Sequence, residues 1–144
     1  MNWYEIENIE MIDSPALIVY KERVQQNIQS LIQMKDVAHL RPHVKTNKIT
    51  EVCKMMLDAG ITKFKCATIA EAEMLAMIKA PDVLFSYQPV GPKINRVLKL
   101  VQKYPSTHFS CLIDDAANAE QISKIFSTNN FIIEYNEGRP EEGA

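Results

Sequence analysis

At 144 residues the chain fits one domain, and an apolar fraction of 47% is enough to bury a core. Its 16 lysines and arginines against 18 aspartates and glutamates leave a net charge of −2, which excludes an extended basic surface for nucleic acid. Three widely spaced cysteines, Cys53, Cys66 and Cys111, match neither a zinc spacing nor a paired disulfide framework, so a reducing cytoplasm is the expected location.

The N-terminal MNWYEIENIE is acidic and lacks a signal-peptide design. No apolar run is long enough to span a bilayer, so no membrane partner is expected. Ala16–Tyr20 then reads as a short apolar strand, followed by a helix over Lys21–Lys35 with Val24, Ile28, Leu31 and Ile32 at helical spacing. Leu40–Lys45 is the next strand. Ile49–Ala59 is helical, and Gly60 stops it as a residue in the left-handed position would. Lys63–Ala67 is a strand, and Thr68 caps a helix over Ile69–Lys79 whose first turn is acidic at Glu71. Val83–Tyr87 is a strand, Pro92–Lys103 a helix with proline in its first turn, and His108–Ile113 a strand. Asp114 or Asp115 caps a helix over Ala116–Phe126, and Phe131–Tyr135 is the last strand. This β/α alternation, at about 22 residues per unit, predicts parallel strands with crossover helices. Periodicity alone leaves both an open doubly wound sheet and a closed barrel.

The stretch Arg41-Pro42-His43-Val44-Lys45-Thr46-Asn47-Lys48 carries the most chemistry. On a strand, Arg41, His43 and Lys45 share a face. Neighbouring positive charge and partial burial both disfavour an ammonium, which suits a lysine that forms a Schiff base. The bland alternative is a surface lysine at a strand end. Gln88 follows the Val83–Tyr87 strand and is a second candidate, against a plain loop residue before Pro89. The methionines at helical spacing read as core. Glu71 and Glu73 read as a helix start, because alternate helix positions do not face each other. Lys48 is expected to meet solvent or to open the next helix. There is no glycine-rich phosphate loop.

RPHVKTNK closely resembles the lysine motif of the D-threonine aldolase and D-serine dehydratase-like family. These are fold-type III pyridoxal-phosphate (PLP) enzymes, relatives of alanine racemase. IDSPALIVY, DAGITKFKCATIAEAEMLA and PDVLFSYQPVGPK resemble the same family in the same order, over about residues 3–135. The resemblance implies a (β/α)8 barrel followed by a smaller β domain. The Lys45 strand is then the first barrel strand, and the strand near Phe131 the fifth. Residues 1–144 would form a partial barrel with about five of eight strands, and the C-terminal β domain would be absent.

By the same resemblance Lys45 is the Schiff-base residue and Lys48 is not. From their shared face with Lys45, His43 or Arg41 could hydrogen-bond the cofactor or the substrate carboxylate, and Gln88, at a strand end, could face the cofactor. Alternatively Arg41 and His43 pair within the barrel bottom as structural groups. Asn47 departs from the histidine expected in the family and does not titrate near neutral pH. The final NEGRPEEGA fits the family at Asn136 and Gly138 and departs from it from Pro140 onward, which reads as an N-terminal part of a longer enzyme or an altered product.

The activity implied is a PLP-dependent lyase acting on D-amino acids, either an aldolase or a dehydratase, with racemisation as a third outcome. The family's divalent metal would find its ligands beyond residue 144, and the longer form would be a homodimer. A PLP carrier without turnover, and an inactive fragment with unpaired strand edges, are the competing readings.

Overall fold

A four-stranded parallel sheet in the order β1-β2-β3-β4 organises the computed structural model, which describes residues 2–127 and 131–135. The strands are β1 (Lys63–Cys66), β2 (Asp82–Phe85), β3 (His108–Ile113) and β4 (Phe131–Tyr135). Five helices accompany them: α1 (Lys21–Met34), α2 (Thr50–Asp58), α3 (Ile69–Met77), α4 (Pro92–Lys103) and α5 (Ala116–Phe126). Each helix from α1 to α4 packs on the next in sequence.

Spatial order equals chain order, so each crossover steps one strand the same way. Right-handed crossovers that never reverse put all the helices on one face. A doubly wound sheet needs a reversal of strand order. The arrangement is therefore an arc of barrel, which resolves the ambiguity that periodicity left. Phe64, Val83, Phe85, Phe109 and Cys111 alternate onto one face of the strands and are fully buried.

The helix ends follow local chemistry. Thr68 Oγ1 accepts the Glu71 N–H at 3.1 Å, and Asp115 Oδ2 accepts the Asn118 N–H at 2.7 Å, so both predicted caps form, with Asp115 taking the α5 position. Gly91 holds φ +55 before Pro92, the first residue of α4. Gly60, at φ +92, closes α2 as expected. Its N–H reaches Leu57 O at 2.9 Å and the Ile61 N–H reaches Met56 O at 3.0 Å, the paired bonds of a Schellman motif.

Three expectations are corrected. Ala16–Tyr20 is not a strand: it has no ladder partner among the described residues, and Leu17, Ile18 and Val19 are exposed. Leu40–Lys45 shortens to a single parallel bridge between His43 and Lys65, with the Lys65 N–H donating to Pro42 O at 2.9 Å. Pro42 has no N–H to extend the ladder, and a 3₁₀ turn takes over at Val44–Thr46. Helix α3 ends at Met77 rather than Lys79, because Lys79 adopts φ +61 and the Ala80 N–H turns back to Leu75 O at 3.0 Å. This is a second Schellman closure, made without glycine. The Asn136, Gly138 and Pro140 readings lie outside the described residues.

Candidate active site

The C-terminal ends of β1 and β2 open into a cavity of about 660 Å³ lined by His43, Lys45, Lys65, Ala67, Ser86, Tyr87, Gln88 and Lys93. Among the described residues its lining holds three lysines and no carboxylate. The Lys65 position follows from strand alternation: Phe64 and Cys66 point into the core, so Lys65 points to the other face. Lys45 sits on the 3₁₀ turn just past the His43–Lys65 bridge. Val44 beside it is fully buried and anchors the turn. Lys45 itself is exposed, where the sequence reading expected partial burial.

His43 links the turn to the sheet. Its Nδ1 accepts the Lys45 backbone N–H at 3.3 Å, and its Nε2 lies 3.1 Å from Ser86 Oγ. Ser86 Oγ–H donates to Cys66 O at 2.6 Å, leaving the hydroxyl oxygen free to accept. This chain of bonds puts the imidazole proton on Nε2 and keeps the ring neutral. Partial burial holds the His43 pKa below its ordinary 6.5, and the positive charges of Lys45 and Lys65 act in the same direction, while Glu71 acts against them.

The sign of the pH effect follows. A histidine with a depressed folded pKa binds fewer protons folded than unfolded. Its contribution to stability is complete above 6.5 and is lost as pH falls from there through the lower folded value. Stability is expected to decline across that window, and His43→Gln to remove this component of the decline. Urea unfolding at a series of pH values, with His43 followed by NMR, checks it.

Tyr87 and Gln88 form the far wall. Burial, first, raises the Tyr87 pKa above 10.0, and its ring stands 5.2 Å from the Lys93 ammonium. Gln88 Oε1 accepts the Asp114 and Asp115 N–H groups at 3.0 and 3.3 Å, which ties the loop after β2 to the loop after β3.

No protein-family model matches the chain. It is 28% identical over 114 residues to a D-threo-3-hydroxyaspartate dehydratase of Delftia sp. (strain HT23), covering 78% of this chain and 30% of that protein. It is also 28% identical over 116 residues to a D-threonine aldolase of Arthrobacter sp., with the same two shares. The chain is a homologue of these two enzymes.

Solved structures give the fold. A D-threonine aldolase from Filomicrobium marinum superposes with a TM-score of 0.71 at 22% identity, over 91% of this chain and 37% of that one. An alanine racemase-like protein from Idiomarina loihiensis gives 0.76 at 25%, over 94% and 37%. The chain thus spans about 30% of the length of the curated relatives it matches and has part of an alanine racemase-like barrel.

Within that partial barrel the structure brings together three of the four residues singled out from sequence: Lys45, His43 and Gln88. Arg41 is not among the cavity's lining residues. Its Nη2 bonds Asp82 Oδ2 at 3.0 Å, and its Nη1 bonds the other carboxylate oxygen. Asp82 is the first residue of β2, so Arg41 lies at the N-terminal end of the strands, where a structural role is expected. The Asp82→Ala variant is expected to lose about 1–2 kcal/mol, because two charge-assisted bonds go but the pair is partly exposed. A lower urea midpoint at unchanged slope would show this.

Asn47 Oδ1 accepts the Ile49 N–H at 3.2 Å, so it shapes the turn into α2. Lys65, Ser86, Tyr87 and Lys93 are not among the site residues that the sequence singled out. For Lys65 and Ser86 a signal existed: each lies in or just after a strand, on the face opposite the core.

Proposed function

We propose that the chain is the cofactor-bearing part of a PLP-dependent lyase acting on D-amino acids, with Lys45 as the residue that would hold the cofactor covalently. One observation carries the reading: an exposed primary amine opens into a cationic cavity at the C-terminal strand ends of a partial alanine racemase-like barrel. The donor set fits the group. The Lys45 amine suits the aldehyde, and Lys65 and Lys93 suit anionic oxygens. The volume lies inside the range of about 300–1,000 Å³ common for small-molecule sites. When bound, the cofactor's pyridine ring supplies an electron sink for breaking a bond at the substrate Cα.

The chain's own residues position and neutralise. His43 holds the Lys45 backbone through Nδ1 and keeps its proton on Nε2, where it faces Ser86. Because that chain of bonds ends on the Cys66 carbonyl, His43 serves as an orienting group rather than a base. Gln88 fixes the wall by spanning two loops. Lys65 and Lys93 would offset the charge of a substrate carboxylate or of the phosphate. Among the described residues no cluster of His, Cys, Asp and Glu fits a divalent metal.

The names of the homologues support an aldolase or a dehydratase. The exposure of Lys45 favours one competing reading, a carrier that binds the cofactor without turnover. A turnover assay on the chain and on any longer form, with PLP and D-threonine, D-serine or D-threo-3-hydroxyaspartate, decides. Aldehyde release indicates the aldolase, and ammonia with a keto acid indicates the dehydratase. Cofactor bound at Lys45 without either product, in both forms, would leave the carrier reading.

A further inference from the structure

We infer that Glu71 is a positioning residue for the Lys45 turn, holding that turn to the β1–α3 junction through Lys48; its link to catalysis rests on the Lys45 proposal above. Glu71 is the one charged side chain among the described buried residues, at 5% exposure. In a capping box the carboxylate at this helix position returns to the N–H of the cap residue, here Thr68. Glu71 Oε2 reaches one residue further, to the Ala67 N–H at 2.7 Å, and Ala67 lines the cavity. Its Oε1 accepts no hydrogen bond and faces the Lys48 ammonium at 3.5 Å.

Lys48 ends the turn that carries Lys45. It adopts a left-handed φ of +54, and its N–H closes on Val44 O at 2.8 Å. One carboxylate thus joins two walls of the cavity, the Lys45 turn and the Ala67 junction. A buried carboxylate with an oxygen left short of a hydrogen bond is costly, and a plain helix cap does not require it. Its charge also reaches His43 and Tyr87, and at His43 it opposes the effect of Lys45 and Lys65.

The test uses Glu71→Gln, which keeps the size and the bond to Ala67 but removes the charge, with Lys48→Arg as the conservative partner. Amide exchange at Asn47 and Lys48 is expected to speed up about tenfold in Glu71→Gln. The His43 titration should move further down, and trapping of PLP at Lys45 should fall severalfold. Lys48→Arg should hold all three near the parent values. If Glu71→Gln does not fold, Lys48→Met at the exposed end of the pair should give the same exchange result. Unchanged turn amides and an unchanged His43 titration in a folded variant would overturn the inference. Faster turn amides in a chain that never captures the cofactor would uphold the positioning role and sink the Lys45 proposal instead.

Discussion

Phe85→Ala is expected to destabilise the chain by about 3–5 kcal/mol, the usual cost of emptying a buried phenylalanine site. Phe85 is fully buried at the end of β2, stacked on Phe109 with ring centroids 6.2 Å apart and edge-on to Tyr87 at 5.9 Å. It lies at the centre of the packing between strands and helices, so its loss leaves a cavity that the rigid parallel sheet cannot collapse around. The site should suffer too. Ser86 follows directly, and its backbone and hydroxyl both bond Cys66 O. A displaced β2 end would pull Ser86 from His43 and Tyr87 from the cavity wall. Thermal unfolding should show a large drop in midpoint, and His43 NMR should show its titration returning toward 6.5. A change near zero in stability would mean that Phe85 does not occupy the core described.

Lys45→Ala is expected to abolish covalent capture of PLP while leaving stability within about 0.5 kcal/mol of the parent, since exposed side chains contribute little to the fold. The contrast between the two effects is diagnostic, because a variant that merely unfolds would lose both. Lys65→Ala and Lys93→Ala should retain capture with weaker affinity, because their proposed part is charge complementarity and not bond formation. Lys48→Ala should also retain the label, though at lower yield, if Lys48 holds the turn. Absorbance titration with the cofactor, run beside urea unfolding, measures both quantities on the same samples.

Much of this arrangement was legible in the sequence for reasons that can be stated. Thr68 and Asp115 announced helix starts because their side chains offer an oxygen to a free N–H. Gly60 announced an end because it alone takes φ +92 without strain. What failed to show depends on partners distant in sequence. Ala16–Tyr20 has strand composition, but a strand needs a neighbour, and none lies beside it among the described residues. Lys79 gave no warning for a different, local reason: the Ala80 N–H reaches back to Leu75 without a glycine to mark the left-handed position. At the site, the motif around Lys45 pointed to two side chains, Lys45 and His43, that line one cavity, but it misjudged their setting. The strand face expected to carry Arg41, His43 and Lys45 divides at Pro42. Arg41 goes to Asp82 at one end, while His43 and Lys45 go to the cavity at the other. Glu71 was read as a plain helix start because nothing local reveals that Lys48 faces it across the chain.

The central claim is that the Lys45 amine is the group that takes the cofactor. Incubation of the purified chain with PLP, borohydride reduction, digestion and mass spectrometry tests it most directly. The account predicts a phosphopyridoxyl group on Lys45, in clear excess over Lys48, Lys65 and Lys93. Label scattered evenly over exposed lysines, or concentrated on a lysine outside the cavity, would contradict it.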